Sequence, residues 1–70
     1  MATTIRITLN GEPKVFDGPV SVAGLLATLG FETRKIAVER CQEIVPRAAY
    51  ATTWLADGDA LEIVHFIGGG

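Results

Sequence analysis

The segment Thr4-Ile5-Arg6-Ile7-Thr8-Leu9-Asn10-Gly11-Glu12-Pro13-Lys14-Val15-Phe16 decides how the rest of the chain is read. Ile5, Ile7 and Leu9 alternate with Thr4, Arg6 and Thr8, the period-two pattern of a strand with one face on a core. Asn10-Gly11 follows at once, and this pair favours the positive φ angles of a two-residue hairpin turn, so the chain returns as a second strand near Lys14 to Phe16. Pro13 cannot donate to a ladder and is expected at that strand's edge.

Beyond the hairpin the period changes. Val22, Leu25, Leu26 and Leu29 recur at i, i+3, i+4 and i+7, which predicts a short helix with one apolar stripe. Ser21 is placed to cap its first turn, Gly30 to end it in a left-handed conformation, and Phe31 to pack behind. Gly24 lowers helix propensity by about 1 kcal/mol relative to alanine, so packing against a sheet must hold the helix. Ile36 and Val38 then alternate with Ala37 and Glu39 as a third strand. Arg40 to Gln42 read as a turn, and Glu43 to Val45 as a short fourth strand stopped by Pro46. From Arg47 to Leu55 no period emerges; Tyr50, Trp54 and Leu55 are the expected anchors of an irregular crossover, and Asp57-Gly58-Asp59 reads as a plain turn. In the last strand Leu61, Ile63 and His65 point one way and Glu62, Val64 and Phe66 the other, with Ile67 closing it before Gly68, Gly69 and Gly70.

Two strands, one helix and three further strands imply an α+β domain, a mixed sheet of about five strands packed on one main helix. A right-handed crossover brings the final strand beside the first. This is the β-grasp, or ubiquitin-like, arrangement, expected over residues 1–67 with a flexible glycine tail at 68–70.

Seventy residues allow one domain with a modest core. With 49% apolar and 20% charged residues the chain reads as a folded globule. A net charge of −2 with scattered cations offers no stripe to follow a phosphate backbone, so nucleic acid is not an expected partner. A lone cysteine, no apolar leader and no run of membrane-spanning length lead to the expectation of a cytoplasmic protein with no membrane partner. No Walker loop, dinucleotide fingerprint, paired-His metal motif or nucleophile elbow is present, so no catalytic or metal-binding residue is assigned and the chain is not expected to be an enzyme.

The tail is the element with chemistry. Two glycines at the last two positions arise by chance in roughly one sequence in 200, so the signal alone is not specific. Three glycines nevertheless make a bare thread reaching about 10 Å, able to enter a tunnel too narrow for any Cβ. An ionised α-carboxylate is a poor electrophile but can attack the α-phosphate of ATP, and adenylation would make its carbonyl reactive. The alternative is a frayed end, the default of most termini. The residues alone leave both open.

The same residues resemble the thiamine-biosynthesis sulfur carrier family, ThiS. The resemblance runs through Asn10-Gly11, the helix Val22 to Leu29 with Gly30-Phe31, Ala37-Val38-Glu39, Glu43-Ile44-Val45-Pro46-Arg47, Asp57-Gly58-Asp59, and Leu61-Glu62-Ile63-Val64 running into the glycines. It implies activation by a ubiquitin-activating-type, ThiF-like adenylyltransferase that consumes ATP, with no cofactor bound by the chain itself. It implies a thiocarboxylate at Gly70, with Gly69 as the adjoining thread; Gly68 joins that thread as the first residue of the bare tail. A sulfur donor such as a cysteine desulfurase would supply the sulfur, and a ThiG-like thiazole synthase would receive it. Cys41 stands where similar sequences commonly carry Asn, and Trp54 where smaller residues are expected. The same chemistry serving molybdopterin synthase, as its small subunit, is a rival reading; so are a non-covalent ubiquitin-like interaction module and a modifier joined to lysines through Gly70.

Val64, Phe66 and Ile67 either complete the core or form an apolar patch that docks the tail into partner enzymes. Cys41 has no His or second Cys beside it and reads as an incidental turn residue, and His65 as a strand residue at the sheet margin.

Overall fold

The computed structural model describes residues 3–66. The first strand, β1 (Thr3–Leu9), turns at Asn10 and Gly11, with φ of 51° and 83°, into antiparallel β2 (Glu12–Gly18). Both angles are those a two-residue hairpin requires, as the Asn-Gly pair predicts. Pro13 lies opposite Thr8 on β2, which is an edge strand, so its missing N–H removes no ladder bond.

Helix α1 (Val22–Leu29) follows, and every backbone donor of its first turn has a partner. Val22 N–H donates to the Thr53 carbonyl and Ala23 N–H to that of Tyr50, each at 2.9 Å, while Gly24 N–H donates to Ser21 Oγ at 3.1 Å. Leu25 N–H to Ser21 O is the first bond of the helix proper. At the far end Phe31 N–H reaches Leu26 O and Gly30 N–H reaches Ala27 O, with Gly30 at φ 78°, the paired bonds of a Schellman stop. Gly24 has a packing reason as well, since an added Cβ would lie 3.3 Å from Val20 Cγ2.

After a 3-10 turn at Thr33–Lys35 come β3 (Ile36–Arg40) and β4 (Glu43–Val45), antiparallel to each other. Arg40, expected in a turn, belongs to β3; the turn itself is Cys41 and Gln42, with φ of 51° and 71°. The stretch without a period contains a 3-10 turn, Arg47–Ala49, and its carbonyls are the ones that close the start of α1. Tyr50 and Leu55 anchor it in the core. Trp54 does not: it is 58% exposed and joins the fold through a backbone bridge to Ser21.

The final strand, β5 (Ala60–His65), runs parallel to β1 on one side and antiparallel to β3 on the other, giving the sheet order β2-β1-β5-β3-β4. Val22, Leu25 and Leu26 of α1 press on Ile5, Ile7, Leu9, Ile36, Val38, Val45, Leu61 and Ile63, all buried. A fully buried leucine contributes about 1.5–3 kcal/mol, which is how so short a helix is held. The fold is the α+β β-grasp that the element order implies. The expected boundary between domain and tail, at residues 67 and 68, lies outside the described residues.

Candidate functional site

Strand β5 is the centre of the sheet, and its alternate residues have opposite fates. Leu61 and Ile63 face α1 and are 1% and 6% exposed. On the other face Val64 is 50% exposed and Phe66 58%, so the possibility that these two complete the core is overturned. Val64 lies opposite Ala37 of β3, and Phe66 N–H donates to the Lys35 carbonyl at 2.8 Å, which carries the strand's pairing one residue further. One row along, Glu62, Glu39 and Ile44 stand side by side across β5, β3 and β4. Ile44 is the most exposed large apolar residue described; the sequence offered it as part of a short strand and of the family resemblance, neither of which tells whether its face is covered. Ile67, Gly68, Gly69 and Gly70 lie outside the described residues.

Three polar devices fix β5 in the sheet. The Asp57-Gly58-Asp59 turn is not plain: Asp57 Oδ1 accepts from Arg6 N–H at 2.8 Å, Gly58 N–H donates to Arg6 O at 2.7 Å, and Thr8 N–H donates to Asp59 O at 3.0 Å. The second device is the Asp59 side chain, itself buried. Its Oδ2 accepts from Arg40 Nε and from Ala56 N–H, both at 2.8 Å, and its Oδ1 accepts from Arg40 Nη2 at 3.4 Å. Burial opposes ionisation of this carboxyl, but the Arg40 hydrogen bond, the Ala56 N–H and the guanidinium charge together outweigh it and hold the group below the usual carboxylate range. The hydrogen bond to Asp59, followed by its charge, raises the pKa of Arg40 in turn.

The third device is Asn10. Its backbone N–H donates to Leu61 O at 2.9 Å, and its side chain then accepts from Ile63 N–H at 2.8 Å through Oδ1 and donates to Ile63 O at 3.3 Å through Nδ2. The sequence shows the hairpin and not this clasp, because the partner lies 53 residues away.

Cys41 is exposed, with Sγ 3.9 Å from Asp59 Oδ1 and its own N–H on the Ala60 carbonyl at 2.7 Å. Its φ of 51° is one that asparagine adopts far more readily than cysteine. His65 sits at the end of β5, as expected for a marginal strand residue, with its ring 5.0 Å from that of Phe31. Among the described residues no three His, Cys, Asp or Glu side chains converge as a metal site. No helix among them is long and apolar enough to cross a membrane.

Comparison with known proteins gives this geometry a family. The ThiS family profile matches residues 7–70. A thiazole synthase of Paramagnetospirillum magneticum is 50% identical over 66 residues, covering 94% of this chain and 20% of that protein, so the chain spans a fifth of that relative's length. The sulfur carrier protein ThiS of Bacillus subtilis is 42% identical over 50 residues, covering 71% of this chain and 76% of that one. The crystal structure of the thiamine biosynthesis protein ThiS from Geobacter metallireducens superimposes with a TM-score of 0.81 at 36% identity, covering 94% of this chain and all of that one. With the profile running from the middle of β1 through the glycines, and a fold shared with that structure, the chain belongs to the ThiS family.

Proposed function

We propose that this protein is a sulfur carrier of thiamine biosynthesis, a co-substrate of other enzymes whose reacting group is the carboxylate of Gly70. The observation that carries the reading is the family match over residues 7–70, which takes in the glycine run. The relatives named thiazole synthase support the choice of acceptor.

In the proposed cycle a Gly70 carboxylate oxygen attacks the α-phosphate of ATP on a ubiquitin-activating-type adenylyltransferase, and pyrophosphate leaves. The resulting acyl adenylate is an electrophile at carbon. Hydrosulfide attacks that carbon and expels AMP, leaving a thiocarboxylate; where the donor is a cysteine desulfurase, its persulfide is first reduced to hydrosulfide by two thiols, which leave as a disulfide. This softer nucleophile is then consumed by a thiazole synthase. Gly68 and Gly69 thread the partner's channel because they carry no Cβ. Val64, Phe66 and Ile67 dock the body, with aromatic Phe66 as the anchor. Exposure of Val64 and Phe66 on the face opposite α1 supports that assignment.

Intact-mass measurement after incubation with ATP, the activating enzyme and hydrosulfide tests the reading. The expected result is a mass gain equal to exchange of one oxygen for one sulfur, abolished by deletion of Gly70 from a chain that still folds. No gain, with no pyrophosphate released, overturns it in favour of a non-covalent binding module. For the docking face, Phe66→Glu is expected to raise the KM for activation about tenfold or more. Its stability, read by urea denaturation, should change by no more than about 0.5 kcal/mol.

A further inference from the structure

Strand β1 runs out before β5 does. The backbone ladder between them ends where Asn10 N–H meets Leu61 O, because the chain turns away at Asn10-Gly11. The next peptide groups on that side of β5 belong to Ile63, and the Asn10 carboxamide satisfies both its N–H and its C=O. A carboxamide carries one acceptor and a donor in the same plane, as a peptide group does, so the side chain serves as one further residue of β1. Beyond Ile63, the contacts of Val64, His65 and Phe66 with neighbouring strands are, among the described residues, to the β3 side: Ala37 opposite Val64, Ile36 opposite His65, and the Lys35 carbonyl on Phe66 N–H. The clasp is therefore the last two-sided constraint on β5 among the described residues.

We infer that Asn10 is a positioning residue for sulfur loading: by clamping the Ile63 peptide it fixes the direction in which β5 delivers the chain toward Gly70. The inference rests on the sulfur-carrier reading above. Its physical basis is orientational. A reacting group presented on a thread gains rate when the root of the thread is held, because less rotational freedom remains to be lost at the partner's active site. The residue type follows from two demands met at once, a φ of 51° and a side chain that both donates and accepts. Glycine meets the first demand only. Aspartate tolerates the turn and supplies the acceptor, but sets a second acceptor against the Ile63 carbonyl.

These differences make the test. Asn10→Gly leaves the hairpin, whose angles suit glycine, and removes the clasp. Hydrogen exchange at the Ile63 amide is expected to accelerate about tenfold, with the Phe66 amide, bonded to β3, little changed. With the purified activating adenylyltransferase and ATP, pyrophosphate release should show kcat reduced about tenfold and KM changed less than about threefold, since the docking face is intact. Asn10→Asp at neutral pH should show the same split, as an independent variant. Unchanged kcat in both variants overturns the role, as does unchanged exchange at Ile63. A wild-type chain that is never adenylated overturns the sulfur-carrier reading and this role together; a wild type that loads beside variants that load as fast overturns this role alone.

Discussion

The molecule contains two hairpins built to the same plan and finished in different chemistry. β1–β2 and β3–β4 each close through two left-handed residues, Asn10-Gly11 with φ of 51° and 83° and Cys41-Gln42 with φ of 51° and 71°. The first strand of each pairs with β5, from opposite sides, and the first residue of each turn donates its N–H to β5, Asn10 to Leu61 O and Cys41 to Ala60 O. Asn10-Gly11 suits its geometry on its own account. Cys41-Gln42 does not, and is held by what surrounds it: Arg40, the residue before the turn, is tied to the buried Asp59 at the entrance to β5. One turn is specified locally and the other by tertiary contact.

Arg40→Ala should show the largest effect, because it strips the second hairpin of that contact. Asp59 is left buried without its cation, at a cost of about 2 kcal/mol, below the range for a fully buried pair because the guanidinium is partly solvated. Urea denaturation across a pH series identifies the cause. The folded-state pKa of Asp59 is depressed, so its contribution is fully present above the unfolded value near 3.8 and is lost as pH falls through the lower folded value. The stability gap between wild type and Arg40→Ala should be full at neutral pH and close in acid, starting where Asp59 of the variant, buried without its cation, takes up its proton and ending below the wild-type folded value; a gap independent of pH would place the stabilisation elsewhere.

Swapping turn chemistry should give smaller shifts of opposite sign. Gly11→Ala puts a Cβ at φ 83° and should cost about 1–2 kcal/mol, although nothing lies within 4 Å of the added atom, because the penalty is in the backbone. Gln42→Gly relieves the same penalty in the second turn, less the entropy that glycine loses on folding, and should gain about 0.5–1 kcal/mol. Urea midpoints measured side by side decide the matter: if Gln42→Gly destabilises, the second turn uses the glutamine side chain and the two hairpins are less alike than their angles suggest.

The contrast also marks what could be read from the sequence. Asn10-Gly11, the stripe Val22-Leu25-Leu26-Leu29, Ser21 and Gly30 are local signals, and each element they predict is present. The alternation through Leu61 and Ile63 was legible for the same reason. Residues 47–55 were not, because their role is to present the Tyr50 and Thr53 carbonyls to another element's N–H groups, which imposes no period on their side chains. Trp54 illustrates the cost: its size marks it as an anchor, yet its contribution to the fold is a backbone bridge and its ring is largely in water. Asp59 and Asn10 bond across 19 and 53 residues, so composition and spacing near either one could show a turn and no more. On the site, alternation placed Val64 and Phe66 on the face away from the helix but could not decide their exposure, which depends on whether anything covers that face.

The strand in the middle of the sheet is the one the chain reaches last. As the polypeptide emerges during synthesis, β1 with β2 and β3 with β4 can close as separate hairpins, but neither gains its inner neighbour until residues 60–65 are free. Isolated hairpins are marginal in water, so consolidation has to wait for that insertion. A chain truncated before Ala60 would hold two half-sheets with open flanks, a species prone to pair with other chains.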